Sequence, residues 1–174
     1  MTERKPVIIA LGTNLGDKLE NLTNGLKLLA NNIDIIECSN IYESAALLPE
    51  NAPEEWDKDF YNCVFYGTTT LSPYSLLTYC NKIENEVSKE LRQKNSWSPR
   101  YLDIDIISYA NDIINETDLK IPHPKIQERS FVLFPLKDIM PEWRDPIRKK
   151  TVVEILDENR LKLQIIRKTE LRPI

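Results

Sequence analysis

Residues 101–109 read Tyr101-Leu102-Asp103-Ile104-Asp105-Ile106-Ile107-Ser108-Tyr109, and the alternation at the start of this run marks a strand. Leu102, Ile104 and Ile106 point to one side and Asp103 and Asp105 to the other, because successive side chains on a strand alternate. The apolar side belongs to a core. The acidic side sets two carboxylates on one face, their backbone positions about 6.6 Å apart. Parallel carboxylates repel unless a cation sits between them, and a pair of hard oxygen ligands suits Mg²⁺. A solvated strand face is the ordinary explanation of a bare Asp-x-Asp. Here the strand is otherwise apolar, Arg100 lies just upstream and Trp97 is in the same loop, which favours a site.

Working outward, residues 91–100 are polar and basic and read as a loop ending in Trp97-Ser98-Pro99-Arg100. Before it, Ser72-Pro73 starts a helix, an N-cap followed by proline at the first helical position. Its apolar stripe is Leu76, Leu77, Cys80, Ile83 and Val87, running to about Glu90. Residues 60–70 are strand-like, rich in aromatic and β-branched side chains. Residues 7–11 form a buried strand closed by Gly12-Thr13-Asn14, and Asp17 opens a helix with Leu19, Leu22, Leu26 and Leu29 on one face. Residues 33–42 read as one strand. Residues 45–59 have no period and carry Pro49, Asn51 and Pro53, so they form a long loop of the kind that often carries function.

Downstream, residues 111–121 look like an irregular hairpin ended by Ile121-Pro122-His123-Pro124. Residues 125–139 are helical with an interruption at Pro135. Thr151 and Glu154 match a capping box, and residues 162–168 suit a final strand. Helices and strands interleave, yet several connections are too short for helical crossovers. The pattern predicts an α+β fold with a mostly antiparallel sheet.

The bulk composition is that of an ordinary globular domain. The chain has 174 residues, 41% apolar and 29% charged, with a formal net charge of −4. That predicts a single domain over 1–174 and disfavours a nucleic-acid binder working through overall basicity. No stretch suits a signal peptide or a membrane span, so the expected location is cytoplasmic. Cys38, Cys63 and Cys80 have no metal or redox spacing and read as buried, reduced thiols.

The basic set Lys89, Arg92, Lys94 and Arg100 precedes the acidic strand, and His123 and Arg129 follow it. Cationic side chains and a metal are what a polyphosphate substrate needs during phosphoryl transfer. Taken alone, the same charges suit a solvated helix end. With glycine only at positions 12, 16, 25 and 67 there is no glycine-rich phosphate loop, so side chains and metal must hold any nucleotide. Residues 12–17 fit either a plain strand-to-helix turn or an anion-facing helix start. With a single histidine, a serine or cysteine triad could be proposed only by special pleading.

Several blocks then appear in order: Ala10-Leu11-Gly12-Thr13-Asn14-Leu15-Gly16, Tyr42-Glu43-Ser44, Phe60-Tyr61-Asn62-Cys63-Val64, Trp97-Ser98-Pro99-Arg100-Tyr101-Leu102-Asp103-Ile104-Asp105-Ile106, Ile121-Pro122-His123-Pro124, and Arg129-Ser130-Phe131-Val132-Leu133-Phe134-Pro135-Leu136. Together they resemble 6-hydroxymethyl-7,8-dihydropterin pyrophosphokinases of folate biosynthesis, over roughly residues 6–145. Residues 148–174 match poorly. The resemblance implies a ferredoxin-like α-β-α sandwich, ATP as co-substrate with AMP released, and two Mg²⁺ ions on Asp103 and Asp105. It implies pterin contacts from Ser44, Ala45, Leu47, Phe60, Asn62 and Phe131. Asn81, Glu84, Ile106, His123 and Arg129 would face ATP, with Lys89 and Arg92 as candidates for the phosphate clamp. Trp97 and Arg100 would close over the site from a loop that orders on binding. The chain departs from the family pattern at Ser96 and Ser98, on either side of Trp97, and at Ala45. Some family members are fused to dihydropteroate synthase, so fusion or association with that enzyme is the one macromolecular partner implied.

Two other readings stay open at this level. One is a different Mg²⁺-dependent phosphoryl or nucleotidyl transferase on the same fold. The other is a non-enzymatic ferredoxin-like ligand-binding module, which would have no need of paired carboxylates between basic segments.

Overall fold

Strand β1 (Lys5–Thr13) takes the middle of the sheet because both of its faces are apolar. Val7, Ile9 and Leu11 enter one core and Ile8 and Ala10 the other, so the sheet is covered on both sides and the run needs no polar alternation. The computed structural model describes residues 3–88 and 97–174. After β1 come α1 (Lys18–Leu29), β2 (Ile33–Cys38), β3 (Tyr42–Ser44), β4 (Phe60–Thr69), α2 (Pro73–Ser88) and β5 (Asp103–Tyr109). A small hairpin of β6 (Ile114–Asn115) and β7 (Lys120–Ile121), then α3 (Ser130–Ile139), α4 (Val152–Asn159) and β8 (Arg167–Lys168) complete the order. The main sheet runs β5-β1-β4-β3-β8, with β2 also pairing β4, and every pair is antiparallel. The β1-α1-β2 and β4-α2-β5 halves interleave as β5-β1-β4-β2, the ferredoxin-like arrangement. Helices α1 and α2 cover one face of the sheet and α3 and α4 the other.

The expected starts and caps hold. Asp17 accepts from the Glu20 N–H at the head of α1, and Ser72 accepts from the Ser75 N–H at the head of α2. Thr151 and Glu154 make both halves of the capping box on α4. Leu102, Ile104 and Ile106 all enter the core under α1 and α2. An extra residue opposite Ile8 and Ile9 then sends Ile107 to the other core and brings Tyr109 back.

Four expectations need correction. The predicted strand over 33–42 is two strands: β2 pairs with the Phe65–Thr69 end of β4 and β3 with Phe60–Asn62. Between them the Ser39 hydroxyl accepts from the Val64 N–H at 3.0 Å, so a side chain replaces a ladder carbonyl. The helix around Pro135 is not interrupted there; the break falls at Arg129, where the backbone leaves helical geometry. Val132, Leu133, Pro135 and Leu136 are all buried, and that packing outweighs the one backbone bond the proline forgoes. The final strand shrinks to Arg167–Lys168. Cys63 and Cys80 are buried free thiols, but Cys38 is only half-buried. The tail beyond 148 is integrated: Val152, Ile155 and Leu156 are buried with α3, and β8 pairs β3.

Thr151→Ala should remove the bond that the Thr151 hydroxyl accepts from the Glu154 N–H and lower stability by about 1 kcal/mol. Circular dichroism melts of the two proteins measure this directly; equal melting temperatures would show that α4 does not depend on its cap.

Candidate active site

The antiparallel registers place one row of residues across four strands: Asp103 on β5 opposite Gly12 on β1, Gly12 opposite Asn62 on β4, Asn62 opposite Tyr42 on β3. The next row holds Asp105, Ala10 and Val64, and Ser44 lies opposite Phe60. All of these rows face the side covered by α3 and α4. Gly12 is the gap in the middle. A Cβ there would lie 3.1 Å from the Asn62 Oδ1, a tight approach, and 3.6 Å from Phe60, in ordinary contact, so a side chain would crowd the Asn62 amide and fill the space beside Phe60. The glycine instead leaves a floor, and above it opens a cleft of about 400 Å³.

One end of this cleft is acidic and basic by turns. Arg100 bonds Asp103 at 2.8 Å and Arg129 bonds Asp105 at 2.5 Å. Asp103 has its pKa raised, first by burial and then by the Asp105 charge, against the pull of Arg100. Among the described residues no group of three or more His, Cys, Asp or Glu side chains comes together as a metal cluster. Asp103 and Asp105 bring two carboxylates to the cleft, a donor set that fits an ion taking its remaining oxygens from water and phosphates, as Mg²⁺ does. His123 stands with Nε2 3.9 Å from Asp105. Burial and the neighbouring Arg129 lower its pKa to about 4, so it is neutral at pH 7. Its Nδ1 accepts the Lys125 N–H at 3.2 Å, which assigns the ring proton to Nε2 on the Asp105 side.

The other end is a slot. Phe60 rises from the sheet and Phe131 descends from α3, and Ser44, Ala45 and Leu47 line the same cleft. Asn62 is buried, its Nδ2 donating to the Ser44 hydroxyl at 2.9 Å, which orients the amide. Arg129 sits over the Phe131 ring, 5.6 Å from its centre, where the charged end meets the slot. Trp97, 46% exposed, lies on the rim.

Glu84 comes from α2, beneath β5. Its Oε1 accepts the Ile104 N–H at 2.6 Å, and burial, then Asp103, raises its pKa to about 7. Two other residues expected on the ATP side are not brought into the cleft: Asn81 is exposed one helical turn before Glu84, and the Ile106 side chain lies in the opposite core. Lys89, Arg92, Lys94 and the loop they share lie outside the described residues. Sequence reasoning missed Asn14. Its Oδ1 accepts the Arg100 N–H at 2.9 Å, its own N–H donates to the Arg100 carbonyl at 3.2 Å, and its Nδ2 donates to the Lys58 carbonyl. The partners are 86 and 44 residues away, so only the Thr13-Asn14 turn itself was visible as a signal. Lys125 and Glu128, also on the cleft, carry no motif of their own.

Comparison with known proteins follows this geometry. Residues 8–141 match the family model described as 7,8-dihydro-6-hydroxymethylpterin-pyrophosphokinase. The chain is 36% identical over 156 residues to a 2-amino-4-hydroxy-6-hydroxymethyldihydropteridine pyrophosphokinase of Aquifex aeolicus, covering 90% of this chain and 93% of that one. It is 40% identical over 159 residues to a folic acid synthesis protein of Dictyostelium discoideum, covering 91% of this chain but 22% of that one. A folate synthesis bifunctional protein of Chlamydia caviae is 39% identical over 142 residues, with 32% of its length covered. The chain thus spans a third or less of these two longer relatives. In fold it resembles a Plasmodium falciparum HPPK-DHPS crystal structure with pterin and p-hydroxybenzoate, with TM-score 0.70 and 16% identity over 90% of this chain and 43% of that one. Among the described residues no helix is long and apolar enough to cross a membrane.

His123 and Glu84 bias stability in opposite directions with pH. The lowered His123 pKa gives stability present above pH 6.5 and lost as pH falls through about 4. The raised Glu84 pKa gives stability present below pH 4.5 and lost as pH rises through about 7. Glu84→Gln keeps the acceptor for Ile104 but removes the second effect. Denaturant titrations of metal-free protein between pH 5 and 7 should show stability rising with pH more steeply in the variant than in the wild type. Superimposable pH profiles would rule out Glu84 as a titrating group in this range.

Proposed function

Because the chain belongs to the 7,8-dihydro-6-hydroxymethylpterin-pyrophosphokinase family, we propose that its cleft transfers pyrophosphate from ATP to 6-hydroxymethyl-7,8-dihydropterin. The observation that carries this reading is the row through Gly12. A flat apolar slot with one oriented amide and a pair of arginine-matched carboxylates share a single floor, two strand spacings or about 10 Å apart.

Each residue then has a task. Phe60 and Phe131 sandwich the pterin bicycle, and Asn62, held by Ser44, offers donor and acceptor to its edge. The backbone and side chains of residues 45–47 close the slot. Asp103 and Asp105 are the residues that would hold Mg²⁺, whose chemistry is to neutralise charge on the polyphosphate and polarise the attacking hydroxyl. Arg100 and Arg129 pair with the two carboxylates when no cation is there and exchange to phosphate oxygens when one is. Neutral His123, with its proton on Nε2, can donate to a phosphate oxygen without adding charge. The hydroxymethyl oxygen attacks the β-phosphorus, the bond from that phosphorus to the α,β-bridging oxygen breaks, and AMP leaves with that oxygen. Lys89, Arg92 and Trp97 would complete the closure over ATP, in the family's manner. The same reading has the protein act in the cytoplasm on small-molecule substrates, and allows fusion to or association with dihydropteroate synthase, in keeping with the Plasmodium falciparum HPPK-DHPS structure it resembles in fold.

Purified protein given ATP, Mg²⁺ and 6-hydroxymethyl-7,8-dihydropterin should form one AMP per pterin consumed. Stoichiometric ADP would sink the pyrophosphokinase reading. In the same assay Asp105→Ala should fold normally and lose several kcal/mol of transition-state stabilisation, about 10³-fold or more in turnover.

The slot has its own test. Phe131→Ala should weaken fluorescence-monitored pterin binding while leaving ATP binding near normal. A stability loss of about 3–5 kcal/mol with unchanged pterin affinity would instead make Phe131 a core residue.

A further inference from the structure

The residues that shape the slot are short of support on one side. β3 is three residues long, and the chain leaves it at Ala45 into a loop that runs to Phe60. What lies along the outer side of β3 is the tail of the protein, beyond the part that matches the family model. Glu43 pairs with Arg167 in the ladder and through an ion pair, and Tyr42 pairs with Lys168. The Thr169 N–H donates to the Ile41 carbonyl at 2.9 Å, and the Ile41 N–H to the Leu171 carbonyl at 2.9 Å. The Asn40 amide donates to the Thr169 carbonyl at 2.9 Å. A second set of contacts reaches across to α3. Asp138 accepts from the Tyr42 hydroxyl at 2.6 Å and from Lys168 at 2.7 Å, so the tail, β3 and the helix that carries Phe131 meet at one carboxylate.

The contact nearest the slot comes from Gln164. Its Nε2 donates to the carbonyl of Ala45 at 2.9 Å, and Ala45 lines the cleft. Its Oε1 is buried and accepts no hydrogen bond among the described residues.

We propose that the tail from Gln164 to Leu171 is a strap that positions the pterin wall, with Gln164 the positioning residue that fixes the segment 45–47. This rests on the slot being the pterin site. Gln164 touches neither substrate nor reacting atoms; it acts through the backbone of Ala45.

The decisive pair of variants is Gln164→Ala and Gln164→Glu, made in the full chain. Glutamate keeps the size of glutamine but, ionised, cannot donate to a carbonyl. Both variants should weaken binding of 6-hydroxymethylpterin, followed by fluorescence, about five-fold, the size of one lost hydrogen bond. KM for ATP and the melting temperature should stay as in the wild type. Without ligand, backbone hydrogen exchange at residues 45–48 should speed up in both. A Gln164→Glu protein that binds pterin and exchanges like the wild type would overturn the strap, since space-filling alone would then suffice. Equal losses for pterin and ATP with a lower melting temperature would also overturn it, as a general defect of the fold. If the wild type failed to bind pterin, the function would be wrong, while the exchange data would still decide whether Gln164 holds the segment 45–47.

Discussion

The cleft exists because the central strand runs out of side chain at one position. β1 is covered on both faces for most of its length, and a strand in that situation normally carries large apolar residues. At Gly12 it carries none, in the row that joins Asp103 to Asn62. Everything about the site follows from that gap. The carboxylates are kept apart from the slot by one bare strand, yet share its floor. A methyl group at this point would meet the Asn62 amide oxygen and the Phe60 ring, the two groups of β4 on which the slot depends. The requirement here is for space above the strand.

Around this floor the charges are arranged for exchange. Two acidic side chains at close quarters would be costly in a half-buried cleft, and two arginines offset them. The raised pKa of Asp103 shows that the compensation is incomplete. In the proposed function a cation held by the two carboxylates would complete that compensation.

Much of this was legible in the chain itself, and the reasons are local. The alternation over 102–106 gave both the core face and the paired carboxylates, and the Asp17, Ser72 and Thr151 caps depend on residues only three positions away. What escaped was set by contacts distant in sequence. The split between β2 and β3 turns on Ser39 meeting Val64, and Asn14 is spent on Arg100 and Lys58. The tail reads as weak strand because its pairing partner is a three-residue segment more than a hundred positions earlier. Pro135 misled for a related reason: helix propensity sees the missing donor, but not the core that α3 packs against. Ile106 shows the opposite case, where the periodicity had already put the side chain in the core and only the family pattern set it near ATP.

The strap along β3 also changes how the sheet meets other molecules. An open sheet exposes two rows of backbone donors and acceptors to which a stray strand can add. Here one outer strand is β8, two residues long, and both of them, Arg167 and Lys168, are exposed cations. At the other edge the His123 N–H takes the Ile107 carbonyl of β5 at 2.9 Å, so a turn lies over part of that row. A short charged strand and a covering turn are both poor templates for β-addition. That protection stops at β2, six residues long and paired only with β4 among the described strands, whose outer row is the part of the sheet left for another chain to reach.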